Sequence, residues 1–218
     1  RVTQTVGTPL AQQENDSLSS SWLIWITVDL RKRINGFSSP LARTTIFYPV
    51  LNIEYARQIA FDWNTKSEPY AGYVTEFEVD DDYVSQFEKK IVGGRQHEEL
   101  WVPAEKLSEF NQHIIGKIRI VDAGFGEKFS GFIGESTSLK GKDAITQFIL
   151  TANTVDYSPT DVYFEIIANK TAIFLNYPFW QKHDFSKEGI DAEKCRKAFE
   201  FVEKVWSKSF PEIQLGIV

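Results

Sequence analysis

Apolar positions along the chain fall into short blocks, and each change of spacing between them marks a new element. "WLIWITV" at 22–28 is a nearly continuous run of Trp, Leu, Ile, Thr and Val. It predicts a strand over 22–30, covered on both faces, with Arg31 at its exit. Ile53, Ala56, Ile59, Ala60 and Trp63 recur at three-to-four spacing and predict a helix over 53–63. "GYVTEFEV" alternates, so Tyr73, Thr75, Phe77 and Val79 share one face of a half-buried strand over 72–79. The aspartates of "VDDDYVSQFEKK" favour the positive end of a helix dipole, and Tyr83, Val84 and Phe87 extend that start into a short helix near 81–88.

Gly93-Gly94 breaks the chain ahead of "RQHEELWVPAEKL", in which Leu100, Trp101 and Val102 read as strand. Pro103 then sits where a helix takes its first residue, with Leu107, Phe110 and Ile114 on the helix's inner face. "KIRIV" at 117–121 alternates as a further strand. The polar, glycine-bearing "GESTSLKGKD" at 134–143 marks the boundary between two halves. Beyond it, "DVYFEIIA" and "TAIFLNY" read as two strands joined through Asn169-Lys170 into a hairpin. Asp191 is the expected N-cap of a last helix carrying Cys195, Ala198, Phe199, Val202, Val205 and Trp206 as an apolar stripe, ended at Phe210-Pro211. Residues 1–21 are rich in Gln, Ser, Thr and Asn and suit a flexible N-terminal arm. The expected fold class is therefore α+β. A mixed or antiparallel sheet core occupies 22–135, and a smaller C-terminal α+β half, hairpin plus terminal helix, occupies 136–218.

Composition narrows the function classes. The 218 residues include 17 Phe, 8 Tyr and 6 Trp, with 42% hydrophobic and 25% charged positions, which describes a folded and unusually aromatic chain. A net charge of −6 argues against general nucleic-acid affinity, which needs many cations on phosphates, and the short cluster Arg31, Lys32, Arg33 does not reverse it. The single cysteine, Cys195, has no intramolecular partner, and on the apolar stripe of the last helix it reads as a small hydrophobe. The run at 22–28 is too short for a membrane span, and the first twenty residues lack a secretory pattern. The expectation is a cytoplasmic protein without membrane contact.

The ionisable cluster at 95–99 carries the candidate chemistry. Glu99 is the last polar residue before the strand, where a rigid element can aim a carboxylate into a cleft. A zinc helix is excluded, because His-Glu-x-x-His fails at Trp101.

"His97-Glu98-Glu99-Leu100-Trp101-Val102-Pro103" resembles the motif of mono-ADP-ribosyltransferases: Gln or Glu, any residue, Glu, then an apolar strand ending in proline. Residues 46–133 are similar to small bacterial proteins labelled as ADP-ribosylation proteins. The resemblance implies an ADP-ribosyltransferase-like sheet core and NAD as ADP-ribose donor. It makes Glu99 catalytic, stabilising the positive charge that develops on ribose as nicotinamide departs. It places His97 at the motif position that activates an acceptor, where the family has Gln or Glu. An arginine after an early strand holds the NAD phosphates, here Arg31, with Arg43 as the alternative. Thr75 lies in a strand of the order that carries the family's Ser-Thr-Ser element, and Tyr48, Tyr70 or Tyr73 would stack on nicotinamide.

Two other readings stand beside it. Glu98 and Glu99 could flank an edge strand, solvated and paired with Arg95. The chain could also be a non-catalytic interaction or immunity-type module, with "FLNYPFWQKHDF" at 174–185, if exposed, as its protein-partner surface.

Overall fold

The computed structural model describes residues 3–6, 21–27 and 46–218. The chain forms two compact units, Arg1–Glu127 together with Val218, and Lys128–Ile217. The fold class is α+β, with small antiparallel sheets.

In chain order the first unit contains β1 (Thr3–Val6), β2 (Ser21–Thr27), β3 (Ile46–Phe47), α1 (Ile53–Gln58), β4 (Ala71–Asp80), α2 (Asp81–Val84), β5 (Glu88–Ile91), β6 (Glu98–Pro103), α3 (Leu107–Gln112) and β7 (Ile114–Phe125). One sheet has the order β1-β2-β4-β7 and the other β3-β6-β5, with neighbours antiparallel throughout. β2, α1 and β4 arise where the pattern predicts them. Part of the expected N-terminal arm, Thr3–Val6, instead pairs with β2.

Asn52 starts α1 by accepting the N–H groups of Glu54 and Tyr55 at 2.7 and 3.3 Å. The helix runs on through a wider turn, Ile59–Trp63, whose backbone lies flat on β4. A Cβ at Gly72 would stand 2.0 Å from the Ala60 carbonyl oxygen, so only glycine permits this approach. Val50, Tyr55, Ala56, Ile59, Ala60 and Val74 form the resulting core. A second aromatic cluster joins Phe47, Phe77, Tyr83 and Phe87 around Phe110.

Three local expectations are corrected here. The helix expected over 81–88 stops at Val84, and Glu88–Ile91 becomes β5, whose charged residues suit a strand at the sheet edge. Pro103 is not itself helical: at φ −56° and ψ 139° it is extended and pairs with Ile46 as the last residue of β6, and it caps the helical turn that begins at Ala104 and leads into α3. Ile114, placed on the helix face by its spacing, begins β7, a strand of 12 residues.

The second unit contains α4 (Ala144–Thr154), α5 (Pro159–Ala168), α6 (Lys170–Lys182) and α7 (Ala192–Ser209). The expected hairpin of 161–177 is thus a pair of helices, and this half is helical rather than α+β. Pro159 takes the first helical position of α5, and Val162 and Ile166 are buried one turn apart. α6 is enclosed almost all round, from Ala172 through Pro178 and at Trp180, so it has no polar stripe to betray its period. α7 forms as expected, with Asp191 accepting the Lys194 N–H at 2.8 Å. Phe148 stacks on Phe185 at 3.9 Å, and Phe174 on Trp206 at 5.8 Å. Among the described residues no helix is long and apolar enough to cross a membrane.

Candidate functional site

Alternation along β6 sorts its side chains. Leu100 and Val102 are fully buried and feed the core. Glu99 and Trp101 take the other face. Register adds neighbours from β5, since Lys90 lies opposite Glu99 and Glu88 opposite Trp101. On the other flank the chain from Phe47 to Leu51 runs beside β6: Leu100 N–H donates to the Pro49 carbonyl at 2.6 Å, and Leu51 N–H to the Glu98 carbonyl at 2.7 Å. That pairing delivers the Asn52 cap, and with it the first turn of α1, to the head of β6.

The consequence is a fixed carboxylate. Glu99 is only 8% exposed. Tyr55 Oη donates to its Oε1 at 3.2 Å, and Trp101 Nε1 to its Oε2 at 3.2 Å. Both donors are neutral, so these two bonds orient the carboxylate without cancelling its charge. His97 stacks on the Tyr55 ring at 4.2 Å with 19° between planes. Its Nε2 lies 3.1 Å from Gln58 Oε1, and its Nδ1 accepts from Gly94 N–H at 3.4 Å. Gln58 Oε1 can only accept, so the network sets the Nε2–H tautomer. Gly93, at φ +93°, makes the turn that brings His97 back over Tyr55. Tyr48 meets Trp101 edge to face at 5.2 Å, and Trp63, 48% exposed, stands edge-on to Tyr55.

Several residues singled out in the sequence therefore gather. Glu99, His97 and Tyr48 belong to one cluster, with His97 supporting Tyr55 through its ring while both its nitrogens engage the protein. Tyr73 and Thr75 are interior residues of β4, 1% and 3% exposed, and Tyr73 lies edge-on to Phe125. Burial pushes the Tyr73 hydroxyl far above the usual tyrosine range. Arg31 and Arg43 lie outside the described residues. Among the described residues no ion pair links Arg95 to Glu98 or Glu99, and Glu99 is no solvated edge residue. The segment 174–185 fails as a partner surface, since Phe174, Leu175, Tyr177, Trp180 and Phe185 are all buried. Burial followed by the charges of Asp191 and Asp184 raises the Cys195 thiol, away from nucleophilic chemistry.

Sequence reasoning missed Trp101, Lys90, Tyr55 and Gln58 as members of the site. Trp101 was within reach, being two residues from Glu99 on a strand and so on its face. Tyr55 is 44 residues away and gives no local signal. Among the described residues no three His, Cys, Asp or Glu side chains gather as a metal centre requires. Compared with known proteins, the chain matches no protein family, no curated protein and no solved structure.

Proposed function

We propose that this protein binds NAD at the Glu99 face of β6 and cleaves the bond between nicotinamide and ribose, passing ADP-ribose to water or to an acceptor. The observation that carries the reading is the enclosed Glu99 carboxylate, held by Tyr55 and Trp101 through neutral donors. As the C–N bond breaks, its electron pair leaves with the pyridinium nitrogen, nicotinamide departs neutral and the ribosyl carbon becomes cationic. A carboxylate already fixed beside that carbon stabilises the charge without reorganising. The stretch from His97 to Pro103, which resembles the mono-ADP-ribosyltransferase motif, lies largely on the strand Glu98–Pro103, and this supports the reading. Arg31 remains the candidate for the phosphates.

Nicotinamide release from millimolar NAD tests this. Glu99→Gln is expected to slow release roughly 100- to 1000-fold, the usual effect of deleting one preorganised electrostatic group. Wild-type protein that neither releases nicotinamide nor gains thermal stability from NAD would overturn the reading.

A second reading, a non-catalytic partner-binding module, draws on the second unit. There Tyr157 and Phe164, 76% and 59% exposed, present rings to solvent on and beside α5.

A further inference from the structure

The face of β6 that holds Glu99 already contains a cation. Lys90 Nζ stands 3.8 Å from the ring centroid of Trp101, held there by Glu88 Oε2 at 3.2 Å. All three come from register: Lys90 is opposite Glu99, and Glu88 opposite Trp101. The indole is braced on its other sides, its Nε1–H donating to Glu99 at 3.2 Å and Tyr48 meeting it edge to face at 5.2 Å. Its geometry does not depend on Lys90. The Lys90 and Glu88 side chains are 34% and 68% exposed, so the ammonium can swing into water while the indole stays in place.

We infer that the Trp101 face is a seat for a flat organic cation, filled in the free protein by the Lys90 ammonium, which a ligand must displace. The attraction is that of a positive charge for the negative face of an aromatic ring, the same for an ammonium as for an N-alkylpyridinium, and one face accepts one cation at a time. The Glu99 and Glu88 carboxylates add the field of two acidic groups around the seat. An N-alkylpyridinium of this kind is the oxidised nicotinamide ring of NAD, so the assignment of the natural ligand rests on the function proposed above. The cation seat itself rests on Trp101 and Lys90. Lys90 then acts as a built-in competitor that weakens binding of any cationic ring and leaves binding of neutral rings unaided.

Calorimetric titration of the full chain with 1-methylnicotinamide, neutral nicotinamide and NAD separates these points. Wild type is expected to bind 1-methylnicotinamide more tightly than nicotinamide. Lys90→Gln is expected to tighten 1-methylnicotinamide roughly two- to fivefold, the worth of an exposed cation–ring contact, while Lys90→Arg, which keeps a cation on the ring, gives no gain. Circular dichroism of each variant confirms that this surface change leaves the fold intact. Equal or weaker affinity in Lys90→Gln, equal gain in Lys90→Arg, or equal binding of charged and neutral rings overturns the inference. If 1-methylnicotinamide behaves as expected but NAD is neither bound nor cleaved, the cation seat stands and the NAD reading falls. If NAD is cleaved with Lys90→Gln binding it no more tightly, the reverse holds.

Discussion

Tyr83 shows what a single enclosed polar atom does in this chain. Its ring stacks on His113 at 3.8 Å, and its hydroxyl is buried without a hydrogen-bond partner among the described residues. Burial first, and the Glu109 carboxylate second, push its pKa from 10.0 up to about 12. The sign follows from linkage. Between those two values the unfolded chain has lost the proton that the folded chain keeps, so stability falls as pH rises. Tyr83→Phe removes both the stranded hydroxyl and its titration. The variant is expected to be more stable at pH 7 by about 1 kcal/mol in urea unfolding. Its loss of stability between pH 10 and 12 should also be shallower than that of wild type. Destabilisation at pH 7 would mean that the hydroxyl is satisfied after all.

At the scale of elements, buried amides fasten irregular chain to helices. Asn176, wholly buried on α6, accepts the Phe132 N–H at 2.7 Å and donates to the Phe132 carbonyl at 2.8 Å and to Gln147 Oε1 at 3.1 Å. Gln147 on α4 in turn donates to the carbonyls of Phe132 and Lys142. One helix over, Asn169 accepts the N–H groups of Glu135 and Ser136, both at 3.0 Å. The polar loop around 134–143 is thus an ordered strap across α4, α5 and α6. Asn176→Ala strands the Phe132 amide and breaks the network, so chemical denaturation should show a loss of about 2–4 kcal/mol. Asn176→Asp keeps one acceptor but no donor, and is expected to lose nearly as much. In the first unit the equivalent sensitive point is Gly72, where Ala would drive a methyl group into the Ala60 carbonyl. Gly72→Ala is expected to cost about 3 kcal/mol, the upper range for overpacking.

For the molecule as a whole, the contacts divide into an antiparallel-sheet unit and a helical unit. Each has its own interior: Val50, Ala56, Ile59 and Val74 in the first, and Phe148, Trp180, Ala198 and Val202 in the second. A segment with its own core is expected to fold by itself. Residues 128–217 expressed alone should give a helical far-ultraviolet spectrum and a cooperative thermal transition. A disordered spectrum would show that the helical unit depends on the rest of the chain. Nicotinamide release should be absent from this fragment, because Glu99, Tyr55 and Trp101 all belong to the first unit.

Local rules reached as far as local physics does. The strand of 72–79, the helix beginning at Ile53 and the last helix capped by Asp191 were legible because an alternating or three-to-four apolar pattern is written where one face is buried and the other wet. The site was legible in part: Glu99 at the head of β6, His97 two residues before it, and Tyr48, which meets Trp101. The helices of 159–182 were not: α6, enclosed almost all round, keeps no polar stripe, and in α5 the Val, Tyr, Phe and Ile residues of 162–167 read as strand formers. Nor could the pattern bring Tyr55 to Glu99 or lay Lys90 over Trp101. Those contacts depend on antiparallel register and on the chain beside β6 returning α1 to the strand. Sequence by itself determined which faces are apolar, because that is a property of neighbours along the chain. Tertiary structure alone decided which distant polar groups share a low-dielectric site, because packing brings them together across tens of residues.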